Sequence, residues 1–251
     1  MGILEAIFLG ILQGLTEFLP VSSSGHLVLF QNIFETPGDM LFFDTMLHVG
    51  TLVAVFIVLW KDIAEIFHHL FARFTWVLVV ATIPAVVAGV LLGDFFEGAF
   101  EGTYLAFGFL ITSVLLVISE RVAAGKKAKY TDKNQIGFGT ALGVGCMQAV
   151  AILPGISRSG STLSGSLIAG LDRSLAASFS FLMSIPVILG SAVLQGYDIL
   201  QAGAGEIYWL PTIFGMVAAA VSSFFAAKYM MKMIRNKKLY GFCLLYTSRC
   251  V

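Results

Sequence analysis

Five unbroken apolar stretches, at about 42 to 60, 74 to 93, 104 to 120, 178 to 196 and 209 to 229, each come close to the ~20 residues that carry an α-helix across a bilayer. Each predicts one crossing. Two further stretches, 3 to 34 and 136 to 171, are apolar toward both ends but are cut near the middle by Pro, Ser and Gly. Their arms are too short or too polar for two clean spans, so they predict re-entrant helical hairpins. The two interruptions read alike. Gly10-x-x-Gln13 leads into Leu19-Pro20-Val21-Ser22-Ser23-Ser24-Gly25-His26, and Gly145-x-x-Gln148 leads into Leu153-Pro154-Gly155-Ile156-Ser157-Arg158-Ser159-Gly160, with a one-residue slip after Leu-Pro in the second copy. Self-similarity at a fixed offset points to duplication. A bilayer tolerates irregular backbone only where protein or a watery cavity surrounds it, so the two breaks are expected to face one buried polar site.

Composition agrees with this pattern. Hydrophobic residues make up 58% of the chain and charged residues 12%, with a mean hydropathy of +0.90, whereas about a quarter of residues are charged in soluble proteins. The chain is an integral membrane protein. Its 15 basic and 15 acidic residues cancel, which leaves no basic surface for nucleic acid. Charge sets topology instead, because Lys and Arg favour cytoplasmic loops. Lys61 and Arg73, then Arg121 to Lys133, then Lys228 to Lys238 mark three inner loops. The loops with Asp94, Glu97 and Glu101, and with Asp198 and Glu206, carry no Lys or Arg and are placed outside. The crossing at 42 to 60 then runs inward and its counterpart at 178 to 196 runs outward. The expected fold is an all-α polytopic membrane protein with an inverted-topology repeat, whose two re-entrant helical hairpins meet near the bilayer midplane.

A single membrane domain is expected over 1 to 242, with repeat one at about 1 to 120 and repeat two at about 136 to 242. Met1 to Glu5 lacks the basic start of a signal peptide, so the N-terminus is expected to be retained. Residues 243 to 251, Cys-Leu-Leu-Tyr-Thr-Ser-Arg-Cys-Val, are too short and polar to finish the helix that begins before them. They match the translation of a common sequencing-library transposon end, and are expected to be a non-native read-through tail replacing a last transmembrane helix. Cys146, Cys243 and Cys250 show no metal-binding spacing.

Chemistry gathers at the breaks. Gln13 and Glu17 are one helical turn apart and share a face. A carboxylate in an apolar arm must be paired, protonated or cation-bound, unless it sits at the headgroup interface. Ser22, Ser23, Ser24 and His26 stand where a helix restarts. Ser23 and His26 are spaced for proton exchange, and the exposed amides of a helix start attract anions; a capping serine beside a hydrogen-bonded histidine is the plainer alternative. Arg158 is an obligate cation in the second break, flanked by Ser157 and Ser159 and followed by Ser161 and Thr162. A guanidinium in a membrane domain implies an anionic ligand, its fork suiting phosphate, or else a salt bridge to Glu17 that joins the repeats. The two are compatible. Asp44 and His48, four apart on the first crossing, are candidates for a surrounding shell. His68 and His69 read as solvated loop residues. Together these groups specify a phosphate-sized anion attached to something lipophilic, and phosphoryl transfer fits such a site.

The runs from Gln13 to His26 and from Leu153 to Thr162 resemble the bacterial undecaprenyl-diphosphatases, the bacitracin-resistance (BacA) family. The first matches that family's (Glu/Gln)-x-x-x-Glu motif and the second its Pro-Gly-x-Ser-Arg-Ser-x-x-Thr motif. The resemblance runs from Met1 to about Phe242 and lacks the family's last helix. It implies hydrolysis of undecaprenyl diphosphate to undecaprenyl phosphate and inorganic phosphate, which recycles the cell-wall lipid carrier at the outer face of the plasma (inner) membrane. It also implies a divalent cation, Mg²⁺. By motif position, Gln13 and Glu17 would handle the metal or act as base, Ser23 would attack or orient phosphate, and His26 would shuttle a proton. Arg158, with Ser157, Ser159 and Thr162, would clamp the diphosphate, and Ser22, Ser24, Gly25 and Gly160 complete the substrate-binding set. Gln13, being neutral, leaves any metal site one carboxylate short. The expected partners are the polyprenyl diphosphate lipid, the membrane and a second copy of the chain in a homodimer. A polyprenyl-phosphate flippase or other inverted-repeat transporter is the alternative, because fold alone does not separate carriers from enzymes. The acid-phosphatase-like lipid phosphatases fit poorly, since the downstream His-x-x-x-Asp is absent.

Overall fold

The computed structural model describes residues 1–36, 40–92, 104–124, 127–202 and 208–236. Asp94, Glu97, Glu101, Glu206 and the expected read-through tail lie outside the described residues. The described chain is helical throughout its regular elements: α1 Ile3–Glu17, α2 Ser23–Ile33, α3 Leu41–Val58, α4 Trp60–His68, α5 Arg73–Leu91, α6 Leu105–Ala123, α7 Phe138–Val150, α8 Arg158–Ile168, α9 Arg173–Ala202 and α10 Trp209–Asn236, with one 3₁₀ turn at Lys133–Gln135. Of these, α3, α5, α6, α9 and α10 are long and apolar enough to cross a membrane. They are the five predicted crossings. Residues such as Val53, Ile57, Val86, Phe107, Leu110, Val217 and Phe225 are exposed on their outer faces, as expected of helices apolar all round and solvated by lipid.

Both interrupted stretches fold as two short helices packed on each other, α1 with α2 and α7 with α8. At 1.5 Å per residue, arms of 15 and 13 residues reach about 20 Å, short of the ~30 Å hydrocarbon layer. Packing exchanges the halves. The main partner of α1 is α10, from the second half, while that of α7 is α5, from the first, and α3 meets α9 between them. Gly10 and Gly145 make these two exchanges possible. A Cβ at Gly10 would sit 2.9 Å from the Gly215 carbonyl carbon on α10, and one at Gly145 would sit 3.0 Å from the Ala81 carbonyl carbon on α5. Backbone meets backbone at matching positions of the two similar stretches, and a core cluster including Val77, Leu116, Leu163, Phe179 and Met183 draws on helices from both ends of the chain.

Candidate active site

The two breaks share a cap and differ by one residue. Ser22 caps α2, its Oγ accepting from the Gly25 amide at 3.3 Å, and Ser157 caps α8, its Oγ accepting from the Gly160 amide at 3.0 Å. These are equivalent positions of the repeat. Each cap satisfies one of the amides that a helix start leaves without a partner. The extra residue of the second turn is Gly155, which takes φ +88, a backbone shape natural to glycine. Without that residue, the first turn closes through Ser22 at φ +59. A left-handed conformation costs a non-glycine residue roughly 1–2 kcal/mol.

Helix α6 templates the second break. Gly108 lies so close to it that a Cβ would come within 2.6 Å of the Gly155 carbonyl carbon. One turn on, the fully buried Thr112 accepts the Ser157 amide proton at 2.9 Å and donates to the Gly108 carbonyl at 3.1 Å. The residue after Ser157 is Arg158, the first of α8. A cation there faces the positive end of the helix dipole, so it needs a carboxylate or an anionic ligand beside it.

Glu17 is that carboxylate. Its Oε1 pairs with Nη2 of Arg158, across 141 residues of sequence. Oε2 accepts from Ser23 Oγ at 2.6 Å and from Gln13 Nε2 at 2.9 Å, and lies 3.4 Å from Nε2 of His48. Four elements therefore meet at one carboxylate that is 4% exposed. The salt bridge joining the repeats is present, yet Nη1 of Arg158 is buried with no hydrogen-bond partner among the described residues. Ser159 Oγ donates to the Leu19 carbonyl at 3.1 Å and ties one break to the other.

These groups open onto a cavity of about 520 Å³, within the range of small-molecule sites. Glu17, Ser22, Ser23, Ser24, Ser157, Arg158 and Ser159 line its polar end. Val90, Ile152, Val187, Ile188 and Leu194 line an apolar wall. The polar end holds charge and hydroxyls, and the wall suits hydrocarbon.

Several residues expected at the ligand are engaged with other parts of the fold in this structure. Thr162 is fully buried, and its hydroxyl bonds the Arg158 carbonyl at 2.9 Å and Ser180 at 2.5 Å, so it braces α8 against α9. Gly25 and Gly160 are absent from the cavity wall; Gly25 packs against Phe109 and Gly155, and Gly160 against Ser157 and Pro20. His26 is likewise absent from the wall. Its Nδ1 meets the Ser22 carbonyl at 2.8 Å and its ring rests on Phe109, centroids 5.4 Å apart. The single Ser23 proton points to Glu17. Gln13 lies behind Glu17, buried, with Oε1 unpartnered among the described residues.

Conversely, His48 and Asp44 do line the cavity, and Asp44 accepts from Gln31 at 2.6 Å. Their one-turn spacing was the only sequence signal for them. Thr112 gave none, since a threonine inside an apolar crossing looks like any helix hydroxyl bonded to its own backbone.

Residues 6–248 match the family of the bacitracin resistance protein BacA. The chain is 43% identical over 242 residues to an undecaprenyl-diphosphatase of Halothermothrix orenii, covering 95% of this chain and 92% of the relative. It is 43% identical over 245 residues to that of Carboxydothermus hydrogenoformans, covering 96% and 92%, and 40% identical over 258 residues to that of Alkaliphilus metalliredigens, covering 95% and 92%. With the match spanning nearly the whole chain and both breaks, the protein belongs to the BacA family of bacitracin resistance proteins.

Proposed function

We propose that this chain hydrolyses undecaprenyl diphosphate to undecaprenyl phosphate and inorganic phosphate, recycling the lipid carrier of cell-wall synthesis at the outer face of a bacterial plasma membrane. Its relatives bear the name of that activity. The observation that carries the reading is the Glu17 carboxylate held between Arg158 and the Ser23 hydroxyl, at the polar end of a cavity with an apolar wall. A diphosphate head group would lie at the polar end and its isoprenoid along the wall.

The chemistry follows from the pairings. An arriving diphosphate competes with Glu17 for Arg158, and the unpartnered Nη1 gives it a first hold. As the guanidinium turns to the phosphoryl oxygens, Glu17 is freed to take the Ser23 proton along the existing 2.6 Å hydrogen bond. Ser23 Oγ then bonds to the terminal phosphorus, and the bridging P–O bond breaks to release undecaprenyl phosphate. Water attacks the resulting phosphoserine, Glu17 manages the protons, and inorganic phosphate leaves. The hydroxyls of Ser157 and Ser159 and the amides at the start of α8 bear on the charge that moves through these steps.

A divalent cation fits the donor set. Glu17 lines the cavity, whereas Gln13 turns its amide nitrogen to that carboxylate, so Glu17 would offer the protein oxygens; Mg²⁺ commonly takes one or two carboxylates, keeping water and substrate phosphates for the rest. No group of three His, Cys, Asp or Glu suited to a metal occurs among the described residues, so the phosphates would complete the shell. Bound there, Mg²⁺ would neutralise charge on the phosphoryl oxygens.

Orientation supports an external site. The cavity takes Asp44 and His48 from the first turns of α3, Gly89 and Val90 from the end of α5, and Ser191 to Gln195 from the later part of α9. All lie at the span ends away from the loops holding Lys61, Arg73 and Lys133. By the same topology we infer that the repeats are inverted and that α1–α2 and α7–α8 are re-entrant.

Two measurements test the reading. Phosphate release from a polyprenyl diphosphate by purified protein should fall about a thousandfold or more in Arg158→Ala, and near-normal turnover would reject the clamp. Chelation should abolish the wild-type rate and added Mg²⁺ restore it. Ser23→Ala should lose the phosphoserine that acid quenching traps in the wild type; substantial remaining turnover would assign the attack to water.

A further inference from the structure

Gln148 is the most exceptional polar side chain that the proposed mechanism leaves idle. It lies near the end of α7, is 1% exposed, and neither Oε1 nor Nε2 has a hydrogen-bond partner among the described residues. It also lines the cavity that holds Arg158, Ser157 and Ser159. Buried amides nearly always find partners within the protein, and one that does not, beside a cavity, is a group kept for something that enters.

The repeat explains how this amide came to be left over. Gln148 stands where Gln13 stands in the first half, and Gln13 donates to Glu17 one turn later. The residue one turn after Gln148 is Ile152, which lines the same cavity. The second half thus has the amide but not the carboxylate that satisfies it. One glutamine is spent on orienting a base, and its twin is free to meet a ligand.

We propose that Gln148 is a substrate-binding residue whose Nε2 donates to a phosphoryl oxygen of the lipid-linked diphosphate, at the junction between the charged end of the cavity and the apolar wall begun by Ile152. The proposal rests on the hydrolase reading for the identity of the anion. A neutral amide adds hydrogen bonds without a second fixed charge, so it holds the head group without hindering release of the anionic products. Such a contact acts on bound substrate and transition state alike, and its loss should raise KM rather than lower kcat.

The test uses full-length protein in detergent with Mg²⁺, and Gln148→Met, an apolar replacement of nearly the same shape. KM for a polyprenyl diphosphate is expected to rise about tenfold with kcat within about twofold. The Kd for farnesyl methylenediphosphonate, whose P–C–P bridge resists hydrolysis, should rise in parallel. The thermal midpoint should hold or increase, because a buried amide without a partner is removed. A merely structural glutamine would give the opposite, a lower midpoint with KM and Kd unchanged. Gln148→Glu, which keeps the shape but sets a carboxylate against the anion, should weaken binding further than Met does. Unchanged KM and Kd in both variants would overturn the assignment while leaving the hydrolase reading intact. Wild-type protein that binds the phosphonate but releases no phosphate would sink the hydrolase reading alone, and failure to bind it would sink both.

Discussion

At the scale of single residues, the site depends on groups that hold Arg158 as much as on Arg158 itself. Thr112 is the clearest. Its hydroxyl takes the Ser157 amide at 2.9 Å inside a fully buried contact, and an amide left without a partner there costs about 1–3 kcal/mol. Thr112→Val should therefore lower the thermal midpoint by several degrees and reduce kcat about tenfold by loosening the turn before Arg158. Thr112→Ser, which keeps the hydroxyl, should restore most of both; failure of that rescue would show that the methyl, not the hydrogen bond, matters. The contrast with Arg158 shows what a sequence discloses. An arginine in an apolar segment is conspicuous because its desolvation demands a reason. A threonine there is ordinary, and its partner lies 45 residues away. Likewise Glu17 was legible as a carboxylate needing a partner, and the partner was Arg158. His48 was legible only as one of a pair a turn apart on the first crossing, and α3 lays it 3.4 Å from that carboxylate.

At the scale of elements, the apolar periodicity located all five crossings and both breaks, since span length is set by the bilayer and turns are set by Pro, Gly and capping Ser. It did not locate the ends of α9, which runs from Arg173 to Ala202, beyond the apolar run at 178 to 196 on both sides, because hydropathy marks the span and not the helical turns that extend past it. What the pattern could not reveal is which helix each hairpin leans on. That is decided by Gly10 against Gly215 and Gly145 against Ala81, close approaches that exist only once α10 and α5 are in place. Gly10→Leu and Gly145→Leu should each prise a half-helix from its partner and lower the thermal midpoint by at least several degrees. Equal losses are expected from the two, because the positions are equivalent; a silent change at one of them would argue that the halves pack differently there.

Across the whole molecule, the loops predicted to share the inner side are bonded to each other. Lys133 reaches Glu65 at 2.5 Å and Asp62 at 3.5 Å, and Arg73 donates to the Asn134 carbonyl. Partial burial pulls the Lys133 ammonium down, but its hydrogen bond to Glu65 and the charges of Asp62 and Glu65 outweigh this and leave it above the ordinary lysine range. A raised lysine stabilises the fold fully below the unfolded value of about 10.4 and loses that contribution as pH climbs through the higher folded value. The midpoint difference between wild type and Lys133→Met should hold from pH 7 to 9 and shrink only in the strongly alkaline range; a difference independent of pH would assign the effect to packing of the aliphatic stem rather than to the charge. The sequence by itself determined that this is a membrane protein with two similar interruptions, because hydropathy is a local quantity that the bilayer reads residue by residue. Tertiary structure decided how Glu17, Ser23, His48 and Arg158 converge, that His26 turns to the Ser22 carbonyl and Phe109 and Thr162 to Ser180, and that Gln148 is left without a hydrogen-bond partner among the described residues. Those outcomes depend on how two broken helices cross between the halves, and distance across a fold is not written in the order of the chain.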